Sequence, residues 1–171
     1  MSLVSRAVSD MIAFYGKEST VPVHDISHFL KVWGYAKTIG EEEGLDPKTQ
    51  EILELSAIAH DIACPLCREK YGNTNGKAQE AEGGPLTEAF YKDYDLPEEE
   101  LSRIVYIVSH HHTYTGVDGQ DYQIMLEADF LVNADESKMT DEAISNFKEK
   151  VFRTKTGLTF LQELYGKKER A

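Results

Sequence analysis

Four side chains able to do metal or proton chemistry fall on apolar helical strips of this sequence: His28, the adjacent pair His60 and Asp61, and Asp129. His28 begins a stripe that continues with Val32, Ala36 and Ile39, spaced as neighbours on one helix face. His60 follows Leu53 and Ser56 at helical spacing, and Asp61 follows Ala57 and Ile58 in the same way. Asp129 lies between Met125 and Val132 on a third such strip. A buried carboxylate without a partner is costly, and the usual remedies are an opposite charge, a hydrogen-bond network or a metal. Two imidazoles and two carboxylates from three helices suit a divalent cation such as manganese, iron, cobalt, nickel or zinc better than a soft, thiophilic one. Singly, each residue also has an ordinary structural reading, as a hydrogen-bonded core histidine or an aspartate capping a neighbouring helix. Periodicity alone leaves both readings open.

Other residues invite chemistry less specifically. His110, His111 and His112 end a helical pattern whose apolar face is Leu101, Ile104, Val105 and Val108. His111 and His112 continue that face, whereas His110 turns toward solvent. Histidines there can cap a helix C-terminus; they can also bind phosphate, donate a proton or hold a second metal. The Cys64-Pro65-Leu66-Cys67 stretch has the CxxC spacing of thiol oxidoreductases and of half of many zinc sites. A four-thiolate zinc site needs a second cysteine pair, which these two cysteines cannot supply. The strand context of a thioredoxin-like motif is also missing. No Walker loop, Rossmann fingerprint or serine nucleophile elbow occurs. Most aromatic residues read as core, and Tyr114, in the loop after the histidine run, is the one placed to stack on a nucleobase.

The elements that must position these residues are helical. Helix periodicity recurs along the chain and strand alternation does not, which predicts an all-α fold with helices near 3–15, 25–43, 47–63, 78–93, 98–112, 121–135, 139–151 and 156–165. The Gly83-Gly84-Pro85 cluster is expected to interrupt the fourth of these. Turn chemistry at 71–76 predicts an exposed loop, and 113–120 a second one. The basic tail Lys167-Lys168-Glu169-Arg170 is expected to fray. With no repeat or linker, the 171 residues read as a single domain carrying additional C-terminal helices.

Composition sets outer bounds. At 41% hydrophobic and 28% charged residues the chain reads as a soluble globular protein rather than a disordered or membrane one. The net charge of −12 disfavours a nucleic-acid polymer as partner, so an anionic substrate needs local help, most simply from a metal ion. The acidic runs at 41–43 and 98–100 read as solvated helix ends, the second directly after Pro97. Two cysteines, no secretory apolar core and no run long enough to cross a bilayer give a cytoplasmic location, with no membrane partner, as the expectation.

The order His28, His60-Asp61, Asp129 resembles the H…HD…D signature of the HD-domain superfamily of metal-dependent phosphohydrolases. His24-Asp25-Ile26-Ser27-His28-Phe29-Leu30-Lys31-Val32 resembles the HDxxHxxRV opening, with Lys31 where Arg is commoner. Leu55-Ser56-Ala57-Ile58-Ala59-His60-Asp61-Ile62 resembles the small and apolar run into HD, and Glu127-Ala128-Asp129-Phe130-Leu131 the closing segment. The resemblance spans about residues 21–135 and implies a compact helical HD-domain fold. It implies His28, His60, Asp61 and Asp129 as ligands of one divalent metal ion: Mn, Fe, Co, Ni, Zn or Mg. His24 is assigned to the helix start or pocket rim instead. Two departures narrow the transfer: Gln79 stands where two-metal members have a His, and Cys64 where nucleotidase members often have an acid.

The activity implied is attack of water on phosphorus with P–O cleavage, in a nucleotide or another small phosphate ester. Asp61 would help orient the water, and His111 or His112 would protonate the leaving oxygen. Arg68, Lys70 and Lys77, assigned to the loop after HD, would reach phosphate, with Glu80 and Tyr114 as further binding candidates. A homo-oligomer is compatible with this reading. The alternative is an HD-type module that binds metal or nucleotide for regulation and turns nothing over.

Overall fold

The computed structural model describes residues 1–166, so the tail Lys167-Lys168-Glu169-Arg170 lies outside the described residues. Among them the chain forms nine α-helices and no strand: α1 (Leu3–Glu18), α2 (Pro22–Glu42), α3 (Pro47–Ala59), α4 (Cys64–Tyr71), α5 (Gly76–Tyr91), α6 (Glu98–Val108), α7 (Gln120–Glu136), α8 (Asp141–Val151) and α9 (Lys155–Tyr165). Local chemistry marks their starts. Ser2, Asp46, Asn75, Thr140 and Thr154 each accept a backbone N–H from the first turn of the helix they cap, and Pro22, Pro47 and Pro65 occupy first-turn positions where no N–H is needed. Three carboxylates, Glu98, Glu99 and Glu100, fill the first turn of α6 after Pro97, as the sequence predicts.

Helices α2, α3 and α7 pack on one another, and α6 packs on α3 and α5. In α3 every residue from Ile52 to Ala59 is buried, and α7 buries residues around most of its circumference, so both run through the core. The other helices lie around this group. No helix of the described residues is long and apolar enough to cross a membrane.

Three expectations are corrected. The helix expected over 47–63 ends at Ala59, turns through 60–63, and restarts as α4 where a loop is expected; Arg68 and Lys70 therefore sit on α4, and Lys77 in the first turn of α5. The helix expected over 98–112 ends at Val108, leaving the three histidines in the turn beyond it. The Gly83-Gly84-Pro85 cluster does not break α5. A Cβ on Gly83 would lie 3.1 Å from Val108 Cγ1 and one on Gly84 2.6 Å from Ser109 Oγ, so the glycines let α5 close onto the end of α6. The 71–76 turn is as expected: Gly72, at φ 70°, closes α4 in the left-handed region, and Asn75 opens α5.

Candidate metal centre

Two of the histidines, His60 and His111, owe their position to helix ends. The last carbonyls of a helix have no partner within it. His60 directly follows α3 and its Nδ1–H donates to the Ala57 carbonyl at 2.7 Å; His111 follows α6 and its Nδ1–H donates to the Val108 carbonyl at 2.7 Å. Each ring thus satisfies a helix C-terminus with one nitrogen and turns Nε2 away from it. His28 reaches the same tautomer through a carboxylate, its Nδ1 lying 2.8 Å from Glu136 Oε2. The partially negative ends of α3 and α6 beside these rings also favour a cation.

The free nitrogens and the carboxylates converge. His28 Nε2 lies 3.1 Å from His60 Nε2, 3.3 Å from Asp61 Oδ2 and 3.3 Å from Asp129 Oδ1. His60 Nε2 lies 3.5 Å from Asp61 Oδ2 and 3.4 Å from Asp129 Oδ1. Two lone-pair nitrogens 3.1 Å apart repel unless a positive charge sits with them. Donors each about 2.1 Å from one cation would lie roughly 3.0 Å apart at a right angle and roughly 3.4 Å apart at a tetrahedral angle. The separations among His28, His60 and Asp61 fit a common cation, Asp129 Oδ1 lies beside both imidazoles, and the mixed nitrogen and oxygen set suits a divalent ion. Asn133 Nδ2 donates to Asp129 Oδ1 at 2.8 Å and holds that carboxylate in place.

Exposure says where the centre opens. The side chains of His28, His60 and Asp129 are 5%, 0% and 8% exposed, whereas Asp61 is 23% exposed, so approach to the cluster is over Asp61. Its Oδ2 faces His28 and His60, and its Oδ1 lies 3.5 Å from His111 Nε2. That nitrogen is fully buried and has no hydrogen-bond partner among the described residues. An orphaned imidazole beside a carboxylate is the mark of a position meant for a ligand or water. Asp61, His111 and His112 are also near enough together to form a second possible metal group. His112 Nε2, however, lies 3.1 Å from Gln79 Oε1, a contact that uses that nitrogen as a donor.

The cluster's charges act on one another. Burial opposes a charge on His28, but hydrogen bonding to Asp129 and the fields of Asp61, Asp129 and Glu136 overcome it and push its pKa up to about 10. Burial would raise Asp61, and the three imidazoles hold it well below the ordinary carboxylate value instead. His111 is raised by Asp61 against its own burial, while burial and the neighbouring His111 bring His112 down to about 4. Without metal the His28 proton holds the cluster together, so a cation must displace it. Apparent affinity for Co²⁺ is therefore expected to rise by about tenfold per pH unit from pH 6 to 8, below the His28 value. Titrations at three pH values check this, and a flat profile would contradict it.

The proposed binding residues are dispersed. The Arg68 guanidinium is paired with both oxygens of Asp25, at 2.9 and 2.6 Å, and Lys70 with Glu82 at 2.5 Å. Glu80 Oε1 accepts the His112 N–H at 3.1 Å and the Thr113 hydroxyl at 2.9 Å, bracing the histidine turn. Tyr122 Oη donates to the carbonyls of His110 and Thr113 and pins the same turn. Lys77 is exposed in the first turn of α5 and makes no ion pair among the described residues. Tyr114 is 44% exposed and edge-on to Phe147 at 5.0 Å, with Asp129 and Glu80 the carboxylates acting on its hydroxyl. His24 is 60% exposed at the rim, 3.4 Å from Asp25 and 3.6 Å from Glu136. Cys64 and Cys67 are buried free thiols, and burial pushes both upward, away from the reactive thiolate that the CxxC reading needs.

Glu136, Asn133 and Tyr122 escaped the sequence reading. A signal existed for two of them: Asp129, Asn133 and Glu136 are spaced on one face of α7, as His24, His28 and Lys31 are on α2. Two such polar stripes on helices that pack together mark a shared site.

An all-helical bundle with histidines and aspartates gathered between its inner helices is the architecture of a helical metal-binding domain. Residues 25–145 match the family model for the HD domain, and the chain belongs to that family. A comparison with curated proteins finds no match. Among solved structures, the chain is similar to the crystal structure of a predicted HD superfamily hydrolase from an uncultured Thermotogales bacterium. The two are 20% identical, with a TM-score of 0.68, over 94% of this chain and 84% of that one. At that identity the likeness speaks for the fold.

Proposed function

We propose that this HD-domain protein is a metal-dependent phosphohydrolase that cleaves a phosphate ester of a nucleotide or another small molecule. The observation that supports it most is the convergence of His28, His60, Asp61 and Asp129, each imidazole turning Nε2 toward the cluster, with Asp61 on the open side. These four residues would hold one divalent ion, which when bound would polarise a phosphoryl oxygen and bring the pKa of water from about 15.7 down toward about 7.

The chain's own residues then divide the remaining work. Asp61 turns Oδ2 to the ligand cluster and Oδ1 to His111, so it can accept a hydrogen bond from the attacking water and fix its approach. His111 Nε2, unpartnered and beside Asp61, holds the proton that the leaving oxygen needs. His112, tied to Gln79, serves the shape of the turn before it serves proton transfer. Lys77, free of ion pairs among the described residues, and the half-exposed Tyr114 are the binding candidates left with capacity for a substrate, since Arg68, Lys70 and Glu80 are engaged by their own neighbours.

The test is phosphate release from a panel of nucleotides, cyclic and linear diesters and sugar phosphates, with Mn²⁺, Co²⁺, Ni²⁺ or Mg²⁺ added to chelator-treated protein. Turnover that requires the metal is expected for one substrate class. Tight metal or nucleotide binding without turnover across the panel would favour the regulatory module instead.

A further inference from the structure

Helix α7 ends at Glu136, two turns beyond Asp129 on the same face, and its carboxylate is 18% exposed. It divides its oxygens between two partners on α2: Oε2 lies 2.8 Å from His28 Nδ1, and Oε1 2.6 Å from Lys31 Nζ. His24 Nε2 approaches Oε2 at 3.6 Å. The arrangement differs from that at His60 and His111, whose Nδ1–H groups rest on neutral backbone carbonyls. Only His28, of these three histidines, is backed by a charged group.

A carboxylate behind a ligating imidazole does two things: it fixes the tautomer that presents Nε2, and it makes that nitrogen a stronger donor. Lys31 works the other way, since its ammonium draws on the charge that Glu136 offers to His28.

We propose that Glu136 is a positioning residue that sets the tautomer and donor strength of His28, and that Lys31 opposes it, so that the pair tunes how tightly the centre holds its metal. The inference rests on the metal reading above, not on the identity of the substrate. It gives the cluster an adjustable element: substitutions at the half-exposed position 31 retune affinity without touching a ligand.

The experiment measures Co²⁺ affinity by calorimetry, and the visible spectrum of the Co²⁺ form, for wild type, Glu136→Gln, Glu136→Ala and Lys31→Met, with melting curves of the metal-free proteins. Glu136→Ala is expected to weaken binding by about 10- to 100-fold. Glu136→Gln, which keeps an acceptor but loses the charge, should fall between it and wild type and change the spectrum. Lys31→Met should tighten binding by a few fold. The opposite signs are the signature, because both single changes break the same ion pair and a merely structural role would move affinity the same way. Equal affinity in wild type and both Glu136 variants, or a loss in Lys31→Met matching that in Glu136→Ala, would overturn the proposal. A wild type that binds Co²⁺ but hydrolyses nothing defeats the phosphohydrolase reading and leaves this one standing; a wild type that binds no Co²⁺ defeats both.

Discussion

Asp61→Ala is expected to lower metal-dependent phosphate release by about a thousandfold or more while leaving the chain folded. The magnitude follows from the several kcal/mol of charge stabilisation that a bound cation contributes, at about 1.4 kcal/mol for each factor of ten. Asp61 faces the ligand cluster with one oxygen and His111 with the other, so its loss disturbs both metal retention and the placement of the attacking water. The fold should tolerate the change, because the side chain is the most exposed of the four and its removal takes one negative charge from a pocket that also holds Asp129. Initial rates at saturating Mn²⁺, beside far-ultraviolet circular dichroism, measure both effects. Retention of more than a tenth of the wild-type rate in the folded variant would contradict the role.

Glu127 is expected to behave in the opposite way: a large loss of stability with little change at the metal. It sits on α7 two residues before Asp129 and is fully buried. Its Oε1 accepts the backbone N–H of Arg153 at 2.7 Å and of Thr154 at 3.0 Å, and Gln123 Nε2 at 2.8 Å; its Oε2 accepts the Thr154 hydroxyl. One carboxylate thus anchors the connection into α9. The approach is so close that a Cβ on Gly157 would fall on Glu127 Oε2. Removing one partner of such a buried network costs about 3–5 kcal/mol. For a chain of this length Glu127→Ala should therefore lower the melting temperature by roughly 6–20 °C. Thermal denaturation tests this; a fall of under about 3 °C would show that the network is not needed to hold α9.

Asp129 and Glu127, two residues apart on α7, show what could be read from the sequence and what could not. Asp129 was legible because a carboxylate at helical spacing between Met125 and Val132 has to be buried and has to be answered. His28, His60 and Asp61 follow the same logic, and the all-α, HD-domain class follows from their order and the helical period. Glu127 was legible only as part of the motif text, since what it binds lies 26 residues on, in a connection whose path periodicity does not give. Glu136 required the register of α2 against α7, a tertiary quantity. The ends of α3 and α6 were placed too late because apolar periodicity continues past them, through Ile62 after α3 and through His111 and His112 after α6. What stops each helix is a histidine ring taking up a carbonyl three residues back, an interaction that also aims the ring. The Gly83-Gly84 pair was read as a breaker because propensity weighs a glycine by its entropy, and here close contact with α6 decides.

The central claim, that His28, His60, Asp61 and Asp129 share one divalent ion, is tested most directly by anomalous diffraction from crystals of the wild-type protein grown with Mn²⁺ or Co²⁺. A strong peak is expected among His28 Nε2, His60 Nε2, Asp61 Oδ2 and Asp129 Oδ1. Crystals saturated with metal that show no peak there, or whose strongest peak lies among other side chains, would contradict it.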